Sequence, residues 1–467
     1  MTVDVVVVGA GIAGLASAYE LSRRGPSFVV LDAAPRPGGV ILSEHIDGFT
    51  IDAGPDALLM QKPAAIALCQ EIGLSDQLIV TRPPRIAYVV RAGRLHPLPE
   101  ASVLGIPTRA GPFLRSHLFS WHGKLRMVAE LFVPPRRDEA DESIGSFITR
   151  RFGREATEYL AEPLLAGIHA GDVDRLSLKS LFPRFREAER RHGSLQRAFR
   201  QAQRVQSHTG SREARSPNQA AGAFQSLRGG LSDLVCGLVR SLGPSAVRTN
   251  TRVTSIDGPG PFSVRTAGGD SWSARAIVLA VPAFAAGALL HERDGNLARL
   301  CRATPYTSVA TVALAFTRDA VSHPLNGSGF VVPRAERMGI FGGSWLSSKW
   351  PGRAPDGHVL IRTFVGGARE PAALERTDEE LVARSLADLR PLLGIERDPR
   401  FARVYRWERA NAQHEVGHGE RMQEIDLTLS RHPGLFVTGS GFRGVGIPDC
   451  VADGRSTGRA VAAWLTR

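Results

Sequence analysis

Six residues near the start of the chain, Gly9-Ala10-Gly11-Ile12-Ala13-Gly14, constrain its fold more than any other feature. They follow a buried-strand run, Val3-Asp4-Val5-Val6-Val7-Val8, and open a helical pattern over 15–24 that ends at Gly25. A second strand pattern over 28–31 leads into Asp32. The whole is a βαβ unit. Gly9 permits the tight turn, Gly11 lets a pyrophosphate approach the backbone, and Gly14 lets the helix pack close on the strand. The helix N-terminus offers N–H groups and positive dipole to phosphates. Asp32, eighteen residues past Gly14, is placed to accept from ribose hydroxyls. Such a unit binds a dinucleotide, and at this point NAD and FAD both remain open.

The next segment, Ala33-Ala34-Pro35-Arg36-Pro37-Gly38-Gly39, tips the choice to FAD held non-covalently. Two adjacent glycines after an arginine resemble the extended dinucleotide-binding motif of glutathione-reductase-type flavoproteins. Asp52-Ala53-Gly54-Pro55 follows at the spacing of the amine-oxidase-like branch of that superfamily. Near the other end, Phe436-Val437-Thr438-Gly439-Ser440 precedes Gly444-Val445-Gly446-Ile447-Pro448-Asp449-Cys450. A strand, a glycine and a second glycine-rich turn opening a helix suit a flavin ring and its ribityl chain. Backbone N–H groups at that helix start can stabilise negative charge on a reduced flavin.

These motifs define an α/β chain. It has a Rossmann-type FAD-binding domain, a mixed-sheet substrate domain and a helical insertion. The FAD-binding domain is expected over 1–82, 223–285 and 405–467, and the substrate domain over 83–105 and 286–404. Residues 106–206 read as the helical insertion, with helices over 123–132, 143–152, 155–165 and 194–206, and 207–222 as a flexible loop. Further strands are expected over 246–257, 262–266, 275–281, 305–316, 357–366 and 435–437, and helices over 377–392 and 453–465.

Composition narrows the function classes. Hydrophobic residues make up 43% of the 467, yet no run reaches the ~20 needed to span a bilayer; the longest, 276–290, is broken by Pro282. No signal peptide is visible, so the expected compartment is the cytoplasm. Cys69, Cys236, Cys301 and Cys450 lack metal-ligand spacing and read as reduced, mostly buried thiols. No His-x-x-x-His pair frames a carboxylate, so no metal site is expected. The net charge of +12 is almost all arginine, since only Lys62, Lys124, Lys179 and Lys349 are lysines. Over 106–215, 20 Lys and Arg stand against 13 Asp and Glu. A GC-rich genome accounts for this as well as a surface that attracts carboxylates or anionic lipid. The charge is diffuse and lacks stacking aromatics, which argues against a nucleic-acid partner.

Nearly end to end, the chain resembles the oxygen-dependent protoporphyrinogen oxidase family, which includes bacterial coproporphyrinogen oxidases. The carriers are the glycine motifs above with Leu227-Arg228-Gly229-Gly230, Gly417-His418 and Asp449-Cys450. Most family-specific is Gly167-Ile168-His169-Ala170-Gly171-Asp172, followed by Leu176-Ser177 and Phe182-Pro183. The resemblance implies six-electron oxidation of protoporphyrinogen IX to protoporphyrin IX in heme biosynthesis, with O2 as acceptor and H2O2 as by-product. Coproporphyrinogen III is the alternative substrate. It implies that FAD lies against Gly9, Ala10, Gly11, Ile12, Ala13, Gly14, Asp32, Ala33, Arg36, Gly38, Gly39, Val40, Gly54, Pro55, Asp56, Ala57, Val253, Gly439, Gly446, Ile447 and Pro448. The flavin accepts the hydride, so no side chain is expected to be catalytic; Gly167, Ala170 and Gly171 are expected near the reacting carbon. Arg85 is expected at a substrate propionate, Phe364 on one face of the macrocycle, and Val331 or Phe330 on the other. A surface arginine beside Pro83-Pro84 and a core phenylalanine are the plain alternatives for Arg85 and Phe364.

The family's helical domain often rests on a membrane, and residues 112–121 mix apolar and basic side chains as an interfacial helix would. A helix covering the mouth of the site fits them equally. Peripheral contact with the inner face of the cell membrane, hand-off to a ferrochelatase and a homodimer are the remaining partner expectations. His169, Ser328 and His414 stand where the family usually has aromatics. An amine oxidase or carotenoid-type desaturase is the nearest rival, but Lys349 reads as a loop residue and a poor match to the lysine such amine oxidases place near the flavin. A flavin- or heme-handling protein without turnover is the rival from another class.

Overall fold

The computed structural model describes residues 1–98, 102–103, 106–107, 113, 115–208 and 222–466. Of the expected flexible loop, 209–221 lie outside the described residues, and 207–208 close the helix Leu195–His208.

The first sheet grows from Thr2–Val8, whose Val5 to Val7 are completely buried. It pairs in parallel with Phe28–Leu31 on one side and Ser271–Leu279 on the other. Val247–Arg248 extends it past Phe28–Leu31. Ser271–Leu279 then splits its pairing: its first half meets the hairpin Phe262–Thr266 and Val253–Asp257, its last three residues meet Leu435–Val437. The expected single strand over 246–257 is thus two strands that join different edges of the sheet. A strand run buried on both faces needs helices on both. On one face lie Ile12–Ser22, Ser232–Leu242 and Ile447–Leu465. On the other lie Ala283–Leu289, Gly295–Arg302 and His418–Leu429. Gly295–Arg302 therefore packs with this core, although 286–404 was assigned to the substrate domain.

The first helix starts at Ile12, capped by Gly11, so Gly14 sits inside its first turn. The closing helix starts at Ile447 rather than 453. These two helices touch through glycines: a Cβ on Gly458 would stand 2.6 Å from the Ser17 carbonyl, and one on Gly454 would collide with that of Ala13.

The second sheet has the order Phe401–Ala412, Tyr306–Thr317, His358–Gly366, Gly342–Trp345, Gly329–Val331, Ala87–Arg91, Arg94–Pro97. Its one parallel pairing joins Gly329–Val331 to Ala87–Arg91, with Val331 opposite Val89. Phe401–Ala412 crosses residue 404 as one edge strand, so the expected boundary there cuts an element. One face of this sheet packs on Asp378–Leu393, a helix opened by a capping box between Thr377 and Glu380.

Over 113–208 the chain is helical. Trp121–Val128, Ile144–Phe152, Glu162–His169, Pro183–His192 and Leu195–His208 are its main helices. Thr157–Ala161 is a π-turn running into Glu162–His169, where the spacing predicted one helix over 155–165. The fully buried Arg151 ties the bundle together: it bonds Glu130 and reaches Glu189 at 3.1 Å, while Arg150 holds Glu189 at 2.7 Å. Phe113, Leu118 and Phe119 are buried among these helices, while Trp121 at the end of 112–121 is exposed; 112 and 114 lie outside the described residues. The exposed apolar face lies one helix later, at Trp121, Leu125, Val128 and Phe132. Cys69, Cys301 and Cys450 are buried and Cys236 is exposed.

Candidate cofactor and substrate site

At the first glycine turn, Gly9 has φ +107°, and a Cβ there would stand 2.6 Å from the Ala280 carbonyl. Only glycine takes that turn without strain. The Gly38-Gly39 turn lies across from it. Gly38 N donates to Ala10 O at 2.7 Å, Gly11 and Gly38 form an isolated parallel bridge, and a Cβ on Gly39 would be 3.6 Å from Gly11 Cα. Arg36 fixes this second turn from below, donating to Gly39 O at 2.8 Å and Ile41 O at 3.0 Å. Between the two turns a Cβ on Gly11 would meet nothing within 4 Å. That open space beside a helix N-terminus is the fit a pyrophosphate requires.

Asp32 does more than was expected of it. Its Oδ2 accepts from Ala10 N at 2.5 Å and its Oδ1 from Ala34 N at 2.7 Å, which sets both the glycine turn and the start of the next segment. A carboxylate has about four acceptor positions, so some remain for a ribose. Ala33 and Val40 are exposed beside it, while Ile12 and Ala13 are buried and offer backbone alone. Val253 also has only backbone to offer, since its side chain lies in the core of the first sheet.

The segment 53–57 crosses from the cofactor turns toward the second sheet. Gly54 packs on Val40 O so closely that a Cβ would collide with it. Asp56 was expected at the cofactor, but its carboxylate is committed elsewhere. Lys349 Nζ donates to Oδ2 at 2.7 Å, Trp350 Nε1 to the same oxygen at 2.8 Å, and Arg362 to Oδ1 at 2.9 Å. Burial opposes its ionisation, yet Lys349 and Arg362 outweigh burial and hold Asp56 well below the usual carboxylate range. Arg362 also donates to Gly54 O at 2.6 Å and to Asp52 O. Lys349 stands at the end of the helical turn Leu346–Lys349, not in a loop, and its ammonium is tied to Asp56.

At the chain's other end, Asp453 Oδ2 accepts from Gly439 N at 3.0 Å and Thr438 Oγ1 at 2.6 Å. Gly446 caps Ile447–Leu465 and is exposed, with Ile447 and Pro448 buried behind it. In the first turn of this helix, Asp449 pairs with Lys62 at 2.7 Å.

Strand register aligns an apolar row beneath the helix Glu162–His169. Val331 is opposite Gly342, Gly342 opposite Phe364, and Phe364 opposite Thr311. Cross-strand partners share a face, so Val331 and Phe364 look the same way across a glycine gap. The helix Glu162–His169 lies over this row: a Cβ on Gly167 would be 3.2 Å from Val331 Cγ1. Phe364 packs with Ala166, Ala170, Val309 and Phe341. Ala170 is left-handed, with φ +51°, and turns the chain into Gly171 at the helix end. Phe330 faces the opposite way. It is 3% exposed, packs on Trp345 in the core under the sheet, and a Cβ on Gly343 would touch its ring. The period of two turns Phe330 away from that row and leaves Val331 in it. Arg85 is exposed before Ala87–Arg91, its Nε donating to Thr81 Oγ1 at 3.0 Å. Ser328 lends its carbonyl to Trp345 N.

The other two departures from an aromatic lie together. Gln413 Nε2 donates to His169 O at 2.9 Å, and the His414 ring stacks on His418 with centroids 3.7 Å apart. Burial brings His169 down to about 4 and His418 to about 3, and lowers His414. All three are neutral near pH 7. Among the described residues no group of three or more His, Cys, Asp or Glu could hold a metal ion.

Sequence reasoning missed Lys62, Arg362 and the buried Arg353, which donates to Asp52 Oδ2 at 2.9 Å. Arg362 carried a legible signal, since it stands two residues before Phe364 in an apolar strand and so shares its face.

The fold and the cradle define an FAD-binding flavoprotein. Residues 12–462 match the family of flavin-containing amine oxidoreductases, and the chain belongs to that family. It is an FAD-dependent oxidoreductase. The chain is 36% identical to coproporphyrinogen III oxidase of Bacillus subtilis (strain 168), covering 99% of this chain and 98% of that one. It is 29% identical to the chloroplastic protoporphyrinogen oxidase of Nicotiana tabacum, over 99% of this chain and 86% of that one. Among solved structures, a protein of Exiguobacterium sp. 255-15 with a provisional protoporphyrinogen oxidase name superposes with a TM-score of 0.86 at 30% identity, covering 98% of both chains.

Proposed function

We propose that the chain oxidises coproporphyrinogen III to coproporphyrin III, with O2 as final acceptor and H2O2 as by-product. Protoporphyrinogen IX, the substrate the sequence motifs favoured, is the second reading. The observation that carries the proposal is the 36% identity over 99% of the chain to a coproporphyrinogen III oxidase; the apolar row Val331–Gly342–Phe364, packed beside Gly167 and Ala170, is the face we assign to the macrocycle. The greater identity to a coproporphyrinogen III oxidase than to a protoporphyrinogen oxidase supports the choice of substrate.

FAD supplies the two-electron acceptor, used three times per substrate. The chain's own residues position and desolvate: Val331 and Phe364 press on the macrocycle, Arg85 takes a propionate, and Gly167, Ala170 and Gly171 admit the methylene bridge close to the cofactor. The amine-oxidase alternative loses its lysine, because the Lys349 ammonium is bound to Asp56. The test is an aerobic assay of the yellow protein with both porphyrinogens, following porphyrin fluorescence and peroxide. Turnover of neither above autoxidation removes the proposal, and the kcat/KM ratio ranks the two.

Phe330 and Phe364 separate the core from the macrocycle face. Phe330→Ala costs about 3–5 kcal/mol of stability and leaves kcat/KM within about twofold. Phe364→Ala lowers kcat/KM roughly tenfold at a smaller cost in stability. Urea titration beside steady-state kinetics reads both.

Peripheral membrane contact is proposed through Trp121, Leu125, Val128 and Phe132, which recur at helical spacing and are all exposed. Between 115 and 137 five Lys and Arg accompany a single acid, Glu130, which is buried. Among the described residues no helix is long and apolar enough to cross a membrane. Flotation with anionic vesicles is expected to carry the protein up at low salt, and Trp121→Ser with Phe132→Ser to abolish it. Equal flotation of the variant would refute this face.

A further inference from the structure

We propose that Arg334 is a substrate-specificity residue, binding a carboxylate arm that coproporphyrinogen III carries and protoporphyrinogen IX lacks. The inference rests on the porphyrinogen reading above. Coproporphyrinogen III has a propionate on each of its four pyrroles. Protoporphyrinogen IX has propionates on two neighbouring pyrroles and vinyl groups on the others. A cation at the propionate edge serves both substrates, so discrimination needs a second cation at the opposite edge.

The sheet provides both positions. Gly329–Val331 and Ala87–Arg91 run in parallel, with Gly329 opposite Ala87 and Val331 opposite Val89. Arg85 precedes the start of this pair and Arg334 follows its end. The paired segment is three residues long, and the two arginines stand beyond its opposite ends. Val331, which packs beneath Gly167, closes the pair at the end nearer Arg334.

Arg334 is also a cation left with slack. Lys62, Lys349, Arg362 and Arg369 each hold a carboxylate within 3 Å. Arg369 is fixed further by donation to Val332 O at 2.7 Å. The Arg334 guanidinium, 52% exposed, comes no closer than 3.9 Å to Glu162 or Asp172. Both acids are engaged elsewhere. Glu162 accepts from Arg369 Nε at 2.8 Å, and Asp172 Oδ1 accepts from Asp174 N at 3.0 Å. Meanwhile Arg334 N donates to Glu162 Oε2 at 3.0 Å. That bond pins its backbone to the helix bearing Gly167 and Ala170 and leaves the side chain free to close on a ligand. A guanidinium in that state can take an incoming carboxylate bidentately without first breaking a protein hydrogen bond.

The experiment compares Arg334→Gln, Arg334→Lys and the exposed neighbour Arg337→Gln as holoproteins, on both porphyrinogens, at low and high salt. A second readout is equilibrium binding of coproporphyrin III and protoporphyrin IX by fluorescence quenching. Arg334→Gln is expected to lose roughly fivefold in kcat/KM for coproporphyrinogen III, mostly through KM. Protoporphyrinogen IX should stay within about twofold. Arg334→Lys should recover most of the loss, Arg337→Gln should behave as the parent, and high salt should shrink the difference. Product binding should follow the same split. Equal losses on both substrates, or no loss on either, would overturn the inference. A parent protein that oxidises neither porphyrinogen would overturn the function and the inference together.

Discussion

Gly11→Val yields a protein that folds and stays colourless. Gly11 has φ −66° and ψ 171°, which any residue adopts, and its Cβ position is free of protein atoms within 4 Å. The apo chain therefore has room for the new side chain. The space it enters is the cradle between the Gly9 and Gly38-Gly39 turns, where a pyrophosphate must touch backbone N–H groups at hydrogen-bond distance. A branched side chain there pushes the phosphates out of reach and buries the helix N-terminus under hydrocarbon. We expect FAD affinity to fall by ~100-fold or more, about 2.7 kcal/mol. Gly14→Val makes the contrast. Its Cβ would collide with the Gly9 carbonyl and come within 3.0 Å of Ala280 Cβ, so that variant loses the fold along with the flavin. The measurement is visible flavin absorbance against far-ultraviolet circular dichroism, with melts in the presence and absence of added FAD. The parent gains stability from FAD and Gly11→Val does not. A yellow Gly11→Val with parental flavin content would show that the cradle does not lie between these turns.

Why Gly11 could be read from sequence and Phe330 could not shows where sequence reasoning works. The glycine turn is local: a strand, three glycines and an acid within 30 residues, Val3 to Asp32, describe one βαβ unit. Long buried strands such as Tyr306–Thr317 and His358–Gly366 were legible for the same reason, because their apolar runs are continuous. Gly329–Val331 and Gly342–Trp345 were not, since three or four glycine-rich residues carry no period. Without those strands the face on which Phe330 and Val331 project cannot be assigned. Phe401–Ala412 escaped because it is an edge strand dense in Arg and Glu, which disguises its pairing with Tyr306–Thr317. The ion cluster around the Asp56 side chain was illegible for a different reason. The position of Asp56 beside Gly54-Pro55 pointed to the cofactor, while its partners lie about 300 residues away in a strand and a helical turn. Nothing local announces such a pairing.

That pairing sets the second large effect: Asp56→Ala destabilises the protein by about 3–5 kcal/mol and loosens its flavin. Asp56 neutralises Lys349 and Arg362 and accepts from Trp350 Nε1, all at a site with little access to water. Removing the carboxylate strands the buried Arg362, the half-buried Lys349 and an indole N–H, and the cost comes mainly from those unpaired partners rather than from the lost attraction. The damage reaches the cofactor because Arg362 also holds Gly54 O, and Gly54 packs on Val40 O beside the Gly38-Gly39 turn. An Arg362 freed from Asp56 no longer fixes that segment, so flavin content at purification should fall as well. The pH dependence distinguishes a charge effect from simple truncation. Asp56 is held below its ordinary value in the fold and returns to about 3.9 on unfolding. A depressed carboxylate contributes stability that is complete above the unfolded value and is lost as pH falls toward the folded one. The gap between parent and Asp56→Ala should therefore be full at pH 7 and narrow progressively below about pH 4. Asp56→Asn keeps an acceptor for Trp350 yet loses the charge, and should fall nearer to Ala than to the parent if Lys349 and Arg362 dominate. Urea midpoints at pH 7 and about pH 3 make the comparison. A gap that stays constant across that range would assign the loss to packing and leave the ion cluster without an energetic role.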